Sequence, residues 1–234
     1  IAEEIAMADH PLALDLETYG RNPLNARRSD IRFLILGLPW RAPWLIDLQA
    51  TGYDLGGLGG VIESSELVIH NARFDLGFLA HHLGLHPKRI FCTLTASRLL
   101  SAGTRQSNSL GEVLRRYDIA DLPKDQGASD WGAMLLTDEQ LAYAAGDVAH
   151  LHALRERLEQ ELEKSSLIYV WALESNLIPE VVRMEDAGFM VDRSGLESIR
   201  DEHRTQATDI GRQVQEALGA NFNPGSPDQL REAF

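Results

Sequence analysis

Cysteine is nearly absent from this sequence of 234 residues, because Cys92 is the only one. An internal disulfide is therefore excluded, and the composition fits a reducing compartment, so we expect a cytoplasmic protein. No apolar run approaches the roughly 20 residues that a membrane span needs, and no signal-peptide pattern opens the chain. The sequence therefore predicts no partner in a membrane.

Positive charge is also scarce. Lysine and arginine number 22 against 35 aspartates and glutamates, which gives a formal net charge of −13. This balance disfavours broad, non-specific adhesion to nucleic acid, but it allows an enzyme whose contacts with nucleic acid are few and local. Apolar residues make up 44% of the chain, enough for the core of one large domain or two small ones. The first residue is Ile1 rather than Met, which suggests a fragment of a longer protein.

Two acids stand near the end of the first predicted strand, at residues 11–18. Side chains alternate between the two faces of a strand, so Asp15 and Glu17 point the same way. Adjacent carboxylates resist ionising together, and divalent cations with oxygen ligands are well suited to hold such a pair. The Asp-x-Glu tripeptide is common, however, so a solvated acidic edge of the sheet remains open as an interpretation.

Four more strands are predicted from apolar runs with polar connections, at residues 32–38, 43–48, 67–70 and 90–93. The first three strands of the chain suggest an antiparallel meander that leads into a mixed sheet. The strand at 67–70 turns directly into a helix with Asp75 in its first turn, where the helix dipole favours an acid. Asp75 is thus either a helix-terminal acid or a functional group.

A capping box formed by Thr137 and Gln140 predicts the start of a long helix that runs to about Lys164. On this helix Tyr143 and Asp147 are four residues apart, so both side chains project from one face. On its own such a pair most often lies on a solvated surface. Its meaning depends on the motifs that precede it.

The three motifs, in chain order, are Leu14-Asp15-Leu16-Glu17-Thr18, His70-Asn71-Ala72-Arg73-Phe74-Asp75 and Tyr143-Ala144-Ala145-Gly146-Asp147-Val148. As a set they resemble the DEDD superfamily of 3′→5′ exonucleases, in the branch with a tyrosine in its third motif. The resemblance covers roughly residues 10–160. It implies a ribonuclease H-like α/β fold, in which helices flank a mixed sheet.

The resemblance also implies a catalytic site. The family uses four carboxylates to bind two divalent ions, Mg²⁺ or Mn²⁺, ~3.5–4 Å apart. The matching acids here are Asp15, Glu17, Asp75 and Asp147. Tyr143 would orient the attacking water, and the products would be nucleoside 5′-monophosphates released from a 3′ end. The residues that match positions lining the terminal nucleotide in relatives are Thr18, Asn71, Arg73 and Phe74.

The C-terminal part of the chain has a further pattern, Val181-Val182-Arg183-Met184-Glu185 followed by Ala187-Gly188-Phe189-Met190-Val191-Asp192. This resembles the entry to the polymerase domain of family A DNA polymerases, and residues 221–227 resemble the start of its thumb. Gly188 is predicted to end one helix in left-handed geometry, and Ser194 to cap the next. We therefore predict a proofreading exonuclease domain at residues 1–165 and an incomplete, helical polymerase segment at residues 166–234.

The expected partners are a single-stranded or frayed DNA 3′ end and the remainder of a polymerase chain, since no polymerase active site can be located in this sequence. In a bacterial cell the activity would be associated with the nucleoid. A ribonuclease D-like exoribonuclease is an alternative, because it shares the three motifs and the group that senses a 2′-hydroxyl cannot be identified from sequence. A catalytically silent, exonuclease-like scaffold is a second alternative, although all four acids and the tyrosine are present.

Overall fold

Apolar runs bounded by turn residues form five strands at the positions that the sequence predicts. They are β1 (Leu12–Gly20), β2 (Ser29–Gly37), β3 (Trp44–Asp47), β4 (Glu66–Ile69) and β5 (Arg89–Cys92). The computed structural model describes residues 1–122, 129–219 and 222–233. Asn221, in the segment compared with a polymerase thumb, lies outside the described residues.

The five strands form one mixed sheet in the order β3-β2-β1-β4-β5. The meander β1-β2-β3 pairs in antiparallel fashion, whereas β4 runs parallel to β1 and β5 runs parallel to β4. Parallel neighbours require crossover connections, and helices supply them on the β4 and β5 side. The α/β class with a mixed sheet and flanking helices is thereby confirmed.

Helices fill most of the remaining described chain. They are α1 (Ala2–Ala8), α2 (Leu48–Thr51), α3 (Leu58–Ser64), α4 (Ala72–Phe78), α5 (Thr93–Leu100), α6 (Leu110–Arg116), α7 (Asp138–Ala149), α8 (Leu151–Lys164), α9 (Ile168–Ala187), α10 (Arg193–Leu218) and α11 (Pro227–Ala233). A π-helical turn, Leu79–Leu83, continues α4. None of these described helices combines the length and the apolar character needed to cross a membrane.

β1 separates two apolar cores, and its alternation decides where the acids point. Leu12, Leu14 and Leu16 belong to the core on one face of the sheet, whereas Ala13 belongs to the core on the other face, which α7 and α8 cover. Since odd-numbered positions share a face, Asp15 and Glu17 lie on the side of Ala13. The sheet therefore directs both acids toward α7.

The close approach of α7 to the sheet depends on Gly37 of β2. A Cβ atom at this position would lie 2.6 Å from Cγ1 of Val148, far inside van der Waals contact. The carbonyl oxygen of Gly37 also accepts a hydrogen bond from Nε2 of His152, at 3.1 Å. Asp147 directly precedes Val148, so the missing side chain at Gly37 lets Asp147 come near β1.

Two local predictions are wrong. β1 continues to Gly20, because its antiparallel ladder with β2 extends past the acids, so the Asp-x-Glu pair lies within the strand and a register shift follows it between Glu17 and Thr18. The long helix is two helices that meet at His150, and both bury apolar residues in the same core.

The capping box at Thr137 is confirmed, since its hydroxyl and the Gln140 side chain each bond the other residue's backbone N–H.

Helix α9 packs against the sheet edge and belongs to the first of two compact units, Ile1–Ala187. The hydroxyl of Ser175, which is buried, donates a hydrogen bond of 2.6 Å to the carbonyl oxygen of Ile90 in β5. The ring of Trp171 lies 4.5 Å from that of Phe91, measured between centroids. The division of function at residues 165 and 166 stays a prediction, but α9 is structurally continuous with the residues before it.

The second unit, Gly188–Phe234, is helical. Gly188 adopts a φ of 63°, which confirms the left-handed residue predicted after α9. The predicted cap at Ser194 is wrong: Asp192 caps α10, because its carboxylate accepts a 2.9 Å hydrogen bond from the backbone N–H of Gly195. The carboxylate is the stronger acceptor, and the Ser194 hydroxyl donates to it as well, at 2.8 Å. The assignment of this second unit to the base of a polymerase thumb remains a prediction.

Candidate active site

Three of the predicted acids converge on the α7 side of the sheet. Asp15 and Glu17 from β1 and Asp147 from α7 each offer a carboxylate oxygen, and these oxygens all lie within 4.8 Å of one another. Asp15 and Asp147 line a cavity of ≈ 580 Å³, here termed the carboxylate cavity, together with Asp75 and Tyr143. Acids that are more than 130 residues apart along the chain thus share one site.

Asp75 reaches this cavity from a different element. Asn71 adopts a left-handed φ of 73°, a conformation that asparagine tolerates better than most residues, and α4 begins directly after it. The turn places Asp75 in the first helical turn with its side chain 1% exposed. Asp75 is not within the 4.8 Å cluster of the other three acids, but it is close enough to Asp15 for their charges to interact.

The electrostatics of the site oppose ionisation of its acids. Burial raises the pKa of Asp15 from 3.8 to about 8, and the charge of Asp147 adds to the effect. Burial also raises the pKa of Asp75 well above its ordinary value, with the charge of Asp15 as the second cause. Carboxylates held together in this way gain from a positive charge placed between them.

The residues present fit a divalent cation. The donor set consists of carboxylate oxygens, which hard cations such as Mg²⁺ and Mn²⁺ prefer. In addition, Oδ1 of Asp75 is buried and has no hydrogen-bond partner among the described residues. A buried polar atom without a partner is costly, so a ligand that binds it would be stabilising.

Tyr143 lies one helical turn before Asp147 on α7 and lines the same cavity, as their spacing predicts. Its ring packs 6.5 Å from that of Trp131, centroid to centroid, and Trp131 is itself buried. This packing restricts the orientation of the tyrosine ring at the cavity.

His70 lines the carboxylate cavity and holds two neighbouring segments in place. Its Nε2 donates to the carbonyl oxygen of Asn108 at 3.1 Å, and its Nδ1 accepts from the hydroxyl of Thr93 at 2.9 Å. Burial lowers the pKa of His70 to about 4, so the ring is neutral at physiological pH. The Asn108 side chain in turn bonds Ser97 and Ser101, which fixes the segment leading into α6.

The four predicted substrate-binding residues have different surroundings. Asn71 and Phe74 line the carboxylate cavity, and the Phe74 ring packs 4.9 Å from that of Phe78. Thr18 does not line it, because its hydroxyl donates a 2.6 Å hydrogen bond to the carbonyl oxygen of Pro23. Arg73 points to α9 instead.

A second cavity of ≈ 440 Å³ adjoins the first, and we term it the arginine cavity. Arg73 forms a two-point ion pair with Glu185 there, at 2.6 Å and 3.0 Å. Arg27 bonds both the carbonyl and the carboxylate oxygen of Asp186. Both acids lie in the last turn of α9, so the positive charge of this cavity is balanced within the protein.

Sequence reasoning missed several residues of the carboxylate cavity, above all Arg98. It lies on α5 four residues after Leu94, which also lines the cavity, so both project from one helix face. The sequence predicts that the two residues share a helix face, but no local pattern indicates which face of α5 borders the cavity. His70 belongs to the second motif, but neither its role nor that of Asn108 was predicted, because both depend on a hydrogen bond across 38 residues of sequence.

The chain is similar to a known protein family, to known sequences and to solved structures. A family model described as 3′-5′ exonuclease matches residues 1–163. DNA polymerase I of Aquifex aeolicus is 30% identical over 94% of this chain and 38% of its own length. Ribonuclease D of Gluconacetobacter diazotrophicus is 33% identical over 51% of this chain and 30% of its own length. This chain thus spans well under half the length of these curated relatives.

Among solved structures, Brucella melitensis NrnC bound to pGG is 29% identical to this chain, with a TM-score of 0.69. The match covers 76% of this chain and 85% of that one. The curated relatives therefore include both a DNA polymerase and a ribonuclease, and their names refer to different nucleic acids.

Proposed function

This chain belongs to the 3′-5′ exonuclease family, and we propose that its carboxylate cavity removes nucleotides one at a time from the 3′ end of a DNA strand. The observation that carries the proposal is the convergence of Asp15, Glu17 and Asp147, whose carboxylate oxygens lie within 4.8 Å of one another. Asp75 and Tyr143 in the same cavity complete the set of side chains that the reaction requires.

In the proposed reaction a water molecule attacks the terminal phosphorus, and the bond between that phosphorus and the preceding 3′ oxygen breaks. The products are a nucleoside 5′-monophosphate and a strand with a new 3′-hydroxyl, whose oxygen takes up a proton. Tyr143 would hydrogen-bond the attacking water and orient it toward the phosphorus. Packing against Trp131 supports this role, since it limits the rotation of the tyrosine ring.

We propose that Asp15, Glu17, Asp75 and Asp147 hold two ions, Mg²⁺ or Mn²⁺. The ions would supply a more acidic water and positive charge opposite the departing oxygen. The acids' own part is to bind the ions and to fix their position relative to the strand. The raised pKa values of Asp15 and Asp75 support this assignment, because a bound cation would stabilise the ionised form of both acids.

Asn71 and Phe74 would contact the terminal nucleotide, since both border the carboxylate cavity. Phe74 offers an aromatic face, and stacking of this kind tolerates any base. Arg73 would reach a phosphate only after leaving Glu185, so its contribution as a strand contact is expected to be smaller than its position in the motif indicates. Thr18 would act through the loop it holds at Pro23.

DNA is proposed over RNA because of how far the matches extend. The matches with DNA polymerases I cover 94% and 95% of the chain, whereas those with ribonucleases D cover 51% to 67%. We accordingly propose that residues 166–234 correspond to the first part of a polymerase domain and that the activity is proofreading. The second candidate, an exoribonuclease, is favoured by the ribonuclease D relatives and by the NrnC structure.

The test is digestion of a single strand labelled at its 5′ end, in Mg²⁺ or Mn²⁺, so that shortening from the 3′ end gives a ladder. Asp15→Ala is expected to lose activity by at least about 100-fold, since losing a metal ligand costs more than losing its supporting partner. Glu163→Ala, which removes an exposed carboxylate from α8, is the matched control. An unaltered protein that is inert with both metals would refute the proposal.

DNA and RNA strands of the same sequence are digested in parallel. A rate at least about 10-fold higher on DNA is expected for a proofreading nuclease, and the reverse preference would replace our proposal with the exoribonuclease. A second strand blocked by a 3′-phosphate separates attack at the terminus from internal cleavage. Internal fragments would contradict an exonuclease of any kind.

A further inference from the structure

Arg98 is a cation of the carboxylate cavity whose charge no side chain of the described chain balances. It is exposed, and its guanidinium forms no hydrogen bond or ion pair among the described residues. In the part of the chain that the structure describes, the other charged groups that line this cavity are the acids Asp15, Asp75 and Asp147, while His70 is neutral. Because it is exposed and unpaired among the described residues, Arg98 is available to bind an anion from outside the chain.

The neighbouring arginines show the contrast. Arg73 and Arg27 line the arginine cavity, and each is bound to an acid of α9. A phosphate entering there would have to displace Glu185 or Asp186. Among the described residues Arg98 has no such competitor, so a phosphate that meets it gains a charge-assisted hydrogen bond without displacing an acid.

Arg98 lies on a different side of the carboxylate cavity from the proposed site of hydrolysis. It lies on α5 beside Leu94, and its charge acts on His70, whose pKa it helps to lower. The neighbouring charge that acts on Asp15 is that of Asp147. Arg98 is therefore at the His70 side of the cavity, whereas the reacting phosphate has to lie at the acids.

We propose that Arg98 binds a backbone phosphate of the substrate strand other than the phosphate that is cut. This rests on the proposed function, because it assumes a strand whose 3′ end lies at the acids. Arg98 would thereby set the direction in which the strand leaves the acids, along α5 and past His70. It is a strand-positioning residue that the three family motifs do not include.

Binding is measured first, without turnover. A fluorescent single-stranded oligonucleotide is titrated in the presence of a chelator, at several salt concentrations, with the unaltered protein and with Arg98→Gln, Arg98→Lys and Arg157→Gln. Arg157 is the matched control, because it is a half-exposed arginine on α8 that pairs with Glu161 and does not line the cavity. Circular dichroism of each variant checks that it is folded.

Arg98→Gln is expected to weaken binding by about 10-fold at low salt. The slope of log affinity against log salt should become shallower by about 0.7, the value for one phosphate contact on a single strand. Arg98→Lys should keep the slope, because it keeps the charge, and Arg157→Gln should change neither quantity. An unchanged slope for Arg98→Gln would overturn the proposal.

Turnover of two substrates then shows whether Arg98 binds the phosphate that is cut or another phosphate of the strand. Thymidine 5′-(4-nitrophenyl phosphate) contains only the phosphodiester that is cut, whereas an oligonucleotide offers further phosphates. Arg98→Gln should lower kcat/KM on the oligonucleotide by about 10-fold and leave the small substrate unaffected. Equal losses on both substrates would place Arg98 at the cut phosphate and so contradict our assignment.

The two proposals fail in distinguishable ways. If the unaltered protein digests nothing, the proposed function fails, and the salt slope in chelator still tests whether Arg98 binds phosphate. If the unaltered protein is active but Arg98→Gln binds and cleaves like Arg157→Gln, only the role of Arg98 is refuted.

Discussion

The metal-free protein should lose stability as the pH rises from acid to neutral, and Asp15 is one reason. In the folded chain its pKa is about 8, whereas its ordinary value is 3.8, which we take for the unfolded chain. Between these values the folded state holds a proton that the unfolded state has released. Raising the pH therefore favours unfolding over this window, and the sign is opposite to that of an acid whose pKa is lowered by folding.

The magnitude follows from the size of the shift. One bound proton changes the free energy of unfolding by about 1.4 kcal/mol per pH unit, so Asp15 alone accounts for a loss of about 3 kcal/mol between about pH 5 and about pH 7. Asp75, whose pKa is also raised, acts in the same direction. Such a loss is a large fraction of the stability of an ordinary domain.

The assay is urea unfolding in a chelator at a series of pH values, followed by tryptophan fluorescence. All four tryptophans precede residue 188, so the signal reports the first unit alone. Asp15→Asn removes the titrating group, and it should be more stable than the unaltered protein at neutral pH. Glu163→Gln is the matched control for an exposed carboxylate of α8 and should follow the unaltered protein.

Saturating Mg²⁺ should reverse the trend, because the ion binds the ionised acids of the folded state. The gain is expected to be about 2.7 kcal/mol at a metal concentration 100 times the Kd, and larger at higher pH where protons compete less. A difference between the unaltered protein and Asp15→Asn that stays constant from about pH 5 to about pH 8 in chelator would refute the reasoning.

Three further outcomes are expected. Tyr143→Phe should reduce the exonuclease rate by about 10- to 100-fold, because it removes the hydroxyl and keeps the ring that packs on Trp131. An unimpaired rate would remove the hydroxyl from the mechanism. Gly37→Ala should lower the free energy of unfolding by about 1–3 kcal/mol and weaken Mg²⁺ binding in calorimetry, because its Cβ would push Val148 away. Tight binding with normal stability would argue against this packing role. Ser175→Ala should cost about 1–3 kcal/mol in urea unfolding by leaving the Ile90 carbonyl without its donor, and a neutral change would show that α9 is not held there.

Local periodicity explains why part of the site could be predicted. Alternation along a strand places Asp15 and Glu17 on one face, and a spacing of four places Tyr143 and Asp147 on one helix face. The capping box at Thr137 is equally local, and it formed as predicted. In each case the information lies within a few residues.

The rest depends on contacts between distant residues. Glu185, which pairs with Arg73, is 112 positions away in the sequence, and no local pattern indicates this pairing. The approach of Val148 to Gly37 is equally non-local, because a glycine in a strand has several possible reasons. The extension of β1 past its acids also depends on a partner strand rather than on the residues of β1 alone.

The attachment of α9 has a practical consequence for any shortened form of this protein. A chain cut near residue 165 would strip the aromatic cover from Phe91 and deprive β5 of the Ser175 hydroxyl. It would also release Arg73 and Arg27 from their acids, leaving two unneutralised cations in the arginine cavity. Such a truncated chain would be less stable and would bind nucleic acid more strongly and non-specifically at low salt. Its binding and stability would therefore differ from those of the longer chain.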